Sequence, residues 1–335
     1  MISMNGRIFV RLLLLFVLVV CFSEWASAHS ITAAASAKTT TPPQNYCPVL
    51  PKGIDLLHAT KSEIEMYRLP PRPDDAIQIA DWYMRVQRLR NNECAPFIPI
   101  SPQHQPISQP HPTKPTGIFG QISYNNWAGY VVYDSGGITD AKGHWNVQCL
   151  GSQQQPGARE TSWVGIGGNT NSNLIQTGTA YTQSGYQFFI QFVGYGGPSF
   201  ATNNLPCGTP VDAEVYYISS YGGEWCTNMS SNVGAYTTCF DSSKRPSNST
   251  AEWIDERPYC SNGFSKLADF NYTDYSNAYA QSISRGWHTI GGFGNDQITM
   301  QDGPILAQPQ NLNTGTNSFR DNWRAVGYGV ACANF

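Results

Sequence analysis

The residues of this chain whose chemistry stands out are a glutamate and a side-chain amide, each on a short strand-like run. Glu256 ends the run Ala251-Glu252-Trp253-Ile254-Asp255-Glu256, and Gln176 lies within Leu174-Ile175-Gln176-Thr177-Gly178. Brought together, such a pair can hydrolyse an acyl bond without a serine, a cysteine or a metal. The carboxylate takes a proton from water, and the amide donates hydrogen bonds to the oxyanion. In a strand, Glu252, Ile254 and Glu256 share one face. Burying two acids there is costly unless they are used or hydrogen-bonded. The same residues also fit a plain sheet face with ordinary acids and a Gln that only bridges neighbouring strands.

Other chemistries find less support. His144 and His288 are the two histidines beyond residue 117, and neither sits in a G-x-S-x-G or H-E-x-x-H pattern. Asp134-Ser135-Gly136 is one aspartic-type motif where a dyad needs two, and Gly137 after it marks a turn. No C-x-x-C pair occurs, so neither a metal nor a cofactor is expected. Charged residues make up 13% of the chain, against about 25% in an average protein. From Ile118 onward there are 9 Lys and Arg against 15 Asp and Glu, a net of 9 − 15 = −6. That balance does not suit a nucleic-acid partner. It does suit acid, where few bases limit positive self-repulsion.

The elements that must position these residues fall into three parts. Residues 1–28 read as a secretory signal: Arg7 and Arg11, the apolar run Leu12 to Phe22, then Ala26-Ser27-Ala28. The protein is therefore expected outside the cell, with no membrane association once the signal is removed. Residues 29–117 read as a propeptide. His29 to Asn45 looks disordered, and Asp74 to Arg90 reads as an amphipathic helix with Ile79, Trp82, Tyr83, Val86 and Leu89 on one side. Pro96 to Pro115 is a proline-rich linker. Its exposure makes it the expected place of cleavage, with the mature start between Gly117 and Ser123. The segment 29–117 carries 9 basic against 7 acidic residues, a net of 9 − 7 = +2. Opposite charge would help it dock on the rest at neutral pH.

Residues 118–335 read as one all-β domain. Tyr130 to Tyr133, Trp163 to Ile166, Tyr186 to Val193 and Val211 to Ser219 are strand-like runs separated by Gly, Asn, Asp and Ser. Many short strands of this kind argue for a sandwich or barrel. Apart from Cys21 in the signal there are eight cysteines. An even number on each side of the linker predicts Cys47–Cys94 before it and three bridges after it, with Cys226–Cys239 the best local pair. Asn228, Asn248 and Asn271 each begin an N-x-S/T sequon.

Four segments taken together resemble the eqolisins, the glutamic peptidase family. They are Asn126-Trp127-Ala128-Gly129, Ser162 to Gly168, Leu174 to Gly178 and Ala251 to Glu256, in the family's order. The resemblance implies a two-sheet antiparallel β-sandwich of concanavalin A or lectin-like type, with the site on the concave sheet. It implies Gln176 and Glu256 as the catalytic dyad, with Trp163, Trp127, Gln191 and Gly168 binding substrate. It further implies acid endopeptidase activity on polypeptides, and a propeptide that inhibits or assists folding. A monomer is expected. The chain departs from the family pattern at Gly167, where an acid is usual, and at Gln191, where a family strand carries Glu. Two other functions remain open on the residues alone. One is a glycan-binding module, since a fold does not fix a function. The other is a glycoside hydrolase in which Glu256 works with Glu252 or Glu214.

Overall fold

The computed structural model describes residues 44–46, 50–91, 97–99 and 120–332, apart from 170–172, 196, 221, 241–242, 261 and 313–316. The signal-like segment, the expected Cys47–Cys94 bridge and most of the proline-rich stretch lie outside the described residues. In chain order the first elements are β1 (Gln44–Tyr46), α1 (Lys61–Met66), α2 (Ala76–Asn91) and β2 (Phe97–Pro99). There follow β3 (Gln121–Tyr124), β4 (Trp127–Tyr133), β5 (Ile138–Asn146), β6 (Glu160–Ile166), β7 (Ile175–Thr182) and β8 (Gly185–Phe192). Next come β9 (Ser199–Leu205), β10 (Pro210–Ile218), β11 (Glu224–Ser231), β12 (Ala235–Phe240) and β13 (Thr250–Glu256). The last are β14 (Tyr259–Cys260), β15 (Gly263–Phe264), β16 (Tyr272–Ser282), β17 (Gly286–Thr289), β18 (Gly294–Gln301), β19 (Ile305–Pro309) and β20 (Phe319–Trp323).

These strands build two facing sheets, as the sandwich expectation requires. The front sheet pairs β2-β9-β8-β7-β6-β13-β4-β18-β19-β20 in that order. The back sheet pairs β1-β12-β11-β10-β5-β16-β17. All of these contacts are antiparallel; β3 alone runs parallel, against β18. The first residues of β16 pair with β20, and the later ones pair with β5 after a register shift between Ser276 and Tyr279. One strand thus belongs to both sheets and ties them at that end.

Period-2 alternation explains the core. Val164 and Ile166 of β6, Phe188, Ile190 and Phe192 of β8, and Ala251 and Trp253 of β13 face inward. They meet Trp145, Val211, Ala213, Val215 and Met229 of the back sheet. The alternate residues of the front strands, Trp127, Val131, Trp163, Ala180, Phe189 and Ile254, form a second apolar cluster on the outer face of that sheet. β8 is buried on both sides, as its unbroken apolar run predicts. Cys226–Cys239 joins directly opposed residues of β11 and β12, and Cys149–Cys207 and Cys260–Cys332 complete the three bridges expected after the linker.

The N-terminal segment packs on the outer face of the back sheet. Trp82, Val86 and Leu89 of α2 join Leu56, Ile64 and Leu69 against Ala235 of β12. Ion pairs surround this contact. Arg85 pairs with Glu214, Arg88 with Asp212, and Arg68 Nε with Glu224 at 2.9 Å. Asp81 receives Arg85 from its own helix and Lys142 from β5. The basic leader and acidic domain read from composition therefore meet through specific pairs.

Three details of the sequence reading are corrected. Gln44 and Asn45, read as disordered, pair with Cys239 and Thr238 of β12. Phe97 to Pro99, read as linker, adds a strand to β9 at the edge of the front sheet. Asn228 is fully buried and donates to Tyr236 O and Thr237 Oγ1, so that sequon has no surface to offer a glycan. Each reading used local composition, while these residues are placed by partners distant in sequence.

Replacing Arg85 by Ala leaves Glu214 buried without its cation, a loss worth roughly 3–5 kcal/mol. The expected outcome is faster limited proteolysis within residues 50–91 at neutral pH and a lower melting temperature. Unchanged digestion and melting would show that the ion pair does not hold this segment.

Candidate active site

Gln176, Glu252 and Glu256 all lie on the outer face of the front sheet, with the apolar cluster of Trp127, Trp163, Phe189 and Ile254. Strand register fixes their relative places. Glu252, Gly165, Gln176 and Gln191 stand level across β13, β6, β7 and β8. The next row is Ile254, Trp163, Gly178 and Phe189. The third is Trp127, Glu256, Thr161, Ala180 and Gln187. Gln176 and Glu256 are thus two strands and two rows apart. Strand spacing of about 4.8 Å and a rise of about 3.3 Å per residue put their Cα atoms roughly 16 Å apart.

Trp163 occupies the ground between them. Its Nε1 donates to Glu256 Oε2 at 2.9 Å. Its Cζ3 lies 2.9 Å from where a Cβ on Gly165 would stand, and Leu174 Cδ1 lies 2.8 Å from that point. A side chain at 165 would therefore displace the indole. Trp127 meets Trp163 edge-on, with ring centroids 4.9 Å apart. Gly178 gives the row its low point, since a Cβ there would strike Ser162 O at 2.0 Å.

The two glutamates on this face have different surroundings. Glu256 receives Trp163 Nε1 on one oxygen and Asn126 Nδ2 at 3.1 Å on the other. N–H donors on both oxygens suit a carboxylate, which only accepts. Glu252 is fully buried, and burial pushes its carboxyl well above the usual range. It is level with Gln176, but Trp163 and Leu174 crowd the gap over Gly165 that separates them. Gln176 donates Nε2–H to Gln191 Oε1 at 3.0 Å, which orients its amide. The Gln191 departure from the family pattern therefore acts on Gln176 directly, two rows from Glu256.

The other residues named from sequence are also accounted for. Gly168, at φ +95°, follows β6 and abuts Leu174. Gly167 sits at φ +87°, and a Cβ there would be 2.3 Å from Asn173 O and 2.7 Å from Ser247 O. The local backbone at 167 thus excludes the acid that the family pattern carries. Glu214 lies on the far side of the sandwich, held by Arg85. His144 pairs with Asp212 on that same far side. Asn126 was quoted as part of a motif but given no role; its contact with Glu256 spans 130 positions, which local pattern does not reveal. A second network missed from sequence runs beside the site: Tyr124 OH donates to Asn169 Oδ1, Asn169 Nδ2 to Tyr133 OH, and Tyr133 OH to Asp296, each at 2.9 Å.

The family model described as the Peptidase A4 family matches residues 125–317. The chain belongs to that family. It is a glutamic endopeptidase, an eqolisin, and its substrates are polypeptides. No curated protein matches it by sequence. Among solved structures it is similar to scytalido-glutamic peptidase with a transition state analog inhibitor, at 17% identity and a TM-score of 0.51, over 60% of this chain and 98% of that one. The same enzyme with a peptide-based transition state analog gives 16% identity, a TM-score of 0.50 and the same coverage. Aspergilloglutamic peptidase from Aspergillus niger gives 17% identity and a TM-score of 0.43, over 50% of this chain and 99% of that one. The likeness to scytalido-glutamic peptidase shows the fold.

Restoring the family acid by Gly167→Asp is expected to lower the melting temperature. Left-handed backbone strain of about 1–3 kcal/mol and the clash with Asn173 O oppose it. Calorimetry of the variant beside wild type checks this; equal stability would show that the loop adapts.

Proposed function

We propose that the chain is a secreted acid endopeptidase made as a zymogen, and that Glu256 and Gln176 are its catalytic dyad. The observation that carries the dyad is their placement on one face of one sheet, with Glu256 held by two N–H donors and Gln176 oriented by Gln191. The two side chains need not touch. A tetrahedral carbon has to fit between them, with the incoming oxygen on one side and the oxyanion on the other. Side chains reaching toward each other across roughly 16 Å leave a gap of about 8 Å. Two hydrogen bonds of about 2.7–2.9 Å and one O–C–O span fill such a gap.

In this reading Glu256 takes a proton from water as it attacks the scissile carbonyl, then returns it to the leaving amine. Gln176 donates its second amide N–H to the oxyanion. Trp163 supplies the floor under the scissile bond and holds the Glu256 carboxylate in place. Asn126 is a positioning residue for the same carboxylate. No step calls for a cofactor.

The zymogen reading has its own support. Gln176 and Glu256 have no exposed surface in this structure, so a substrate reaches them only after the site opens. Residues 50–91 meanwhile hold the back sheet by ion pairs, some involving groups that acid protonates. Asp212 illustrates the sign. Although burial opposes it, the His144 hydrogen bond and the charges of His144, Arg85 and Arg88 hold its carboxyl below the usual range. Its contribution is present above the unfolded value of about 3.9 and is lost as pH falls through the lower folded value. Acid thus weakens the grip of the leader. Gly120 is already tied to Asp296 and Gln297, which suits a mature start close before it.

The glycoside hydrolase reading is less favoured. Glu252 and Glu256 lie on one strand with the buried Ile254 on the same face between them, not on two sides of a cleft that a glycosidic bond could enter. Glu214 faces the other way.

Protein digestion at acid pH tests the dyad. Glu256→Gln should abolish turnover, and Gln176→Ala should lower kcat by about 10²–10³. The double variant should lose little more than Glu256→Gln alone. Glu252→Gln should keep measurable activity. Near-normal rates in folded Glu256→Gln and Gln176→Ala would sink the assignment, and loss confined to Glu252→Gln would move it to the residue level with Gln176.

A further inference from the structure

Between the two sheets, on the face away from Gln176, three carboxyl groups meet without a cation. Glu160 on β6, Asp255 on β13 and Asp321 on β20 are each fully buried. Ser162 Oγ lies within hydrogen-bond reach of Glu160 Oε1 and of Asp255 Oδ1. Thr273 Oγ1 donates to the same Asp255 oxygen at 2.9 Å, and Tyr275 OH stands 3.3 Å from it while also reaching Ile254 O at 2.8 Å. Gln148 Nε2 donates to Ser162 and Thr273 rather than to any carboxyl. The hydroxyl of Tyr186 on β8 faces Glu160. Asp255 Oδ2, Glu160 Oε2 and both Asp321 oxygens have no donor among the described residues.

Counting protons shows what this arrangement requires. Ser162 has one proton for its two carboxyl contacts, so in one of them the carboxyl of Glu160 or Asp255 must be the donor. Asp321 stands directly opposite Thr273, which donates to Asp255, so the two acids share one buried space and repel unless one is protonated. No basic side chain among the described residues pairs with them. Arg159, beside Glu160 in sequence, turns away to Ala158 O and Cys332 O.

We propose that Glu160, Asp255 and Asp321 form a proton-dependent lock between the sheets, so that the fold itself confines this peptidase to acid and comes apart when its surroundings are neutralised. The inference is independent of which residues perform catalysis. Its sign follows from burial, which raises all three groups: Asp255 to about 6, Glu160 and Asp321 well above the carboxylate range. A raised group contributes stability that is complete below its unfolded value of about 4. That contribution is lost as pH rises through the folded value. The window of loss therefore opens at about pH 4 and closes only once pH has passed the folded values, about 6 for Asp255 and well above the carboxylate range for the other two.

Thermal unfolding of the full-length chain between pH 4 and pH 8 tests the lock, comparing wild type with Asp255→Asn/Asp321→Asn. These replacements keep the shape and remove the charge. Wild type should lose melting temperature steadily as pH rises from about 4. The variant should match it at pH 4 and hold its stability about one pH unit or more further toward alkali. Parallel profiles would overturn the proposal, as would rescue of wild type at neutral pH by added calcium, since a cation and not protons would then satisfy the cluster. Should the variant fail to fold, infrared spectroscopy at pH 6 decides. A protonated-carboxyl band that persists there in wild type and weakens in Asp255→Asn or Asp321→Asn alone supports the lock; its absence, or a band equally strong in both single variants, as Glu252 by itself would give, refutes it.

Discussion

The pairing of β13 with β6 and of β6 with β7 is the constraint on which the rest of the molecule depends. Side chains alternate with period 2, so a slip of one residue would turn Glu256 and Gln176 into the sandwich and bring Asp255 to the outer face. Both outcomes would be ruinous. The outer-face carboxylate needs Trp163 and Asn126 as donors, and the inner acids need Ser162, Thr273 and Tyr275. The apolar residues between them enforce the register, since Val164, Trp253 and Phe188 must face the core while Trp163, Ile254 and Phe189 face out. The placement of Gln176 and Glu256 and the packing of the core are therefore specified by the same alternation.

Two groups of buried acids differ in what surrounds them. On the back face Asp212 and Glu214 are paired with arginines of the N-terminal segment. Between the sheets Glu160, Asp255 and Asp321 lie among hydroxyls and one another, with no ion pair among the described residues. Breaking a buried pair leaves an uncompensated charge. The first population therefore ties the leader down where carboxylates are ionised. An unpaired buried carboxyl is instead best accommodated neutral, so the second population favours acid. Together they fit a precursor that holds together near neutrality and an enzyme that works in acid.

How much of this could be read from the sequence depends on how local each cause is. The strands at Tyr130, Trp163, Tyr186 and Val211 were visible because alternation and turn residues are local signals. The helix carrying Trp82, Val86 and Leu89 was visible for the same reason. Cys226–Cys239 could be guessed across a separation of 13, whereas Cys260–Cys332, at 72, could not. Gln176 and Glu256 emerged from motifs taken together, never from either run alone. Their spacing, with Trp163 between them and Glu252 level with Gln176, is a property of strand register over some 80 positions. Phe97 to Pro99 was hidden by its prolines, which fit an edge strand as well as a linker. The lock of Glu160, Asp255 and Asp321 had no signature at all, because three acids on three strands become a cluster only after folding.

The central claim is that Glu256 and Gln176 flank one tetrahedral carbon. A crystal structure of the mature enzyme with a tetrahedral transition-state analogue tests it most directly. The account predicts one analogue oxygen within about 3 Å of the Glu256 carboxylate and the other within about 3 Å of the Gln176 amide, above the indole of Trp163. An analogue held instead between Glu252 and Gln176, or seated away from both, would contradict it.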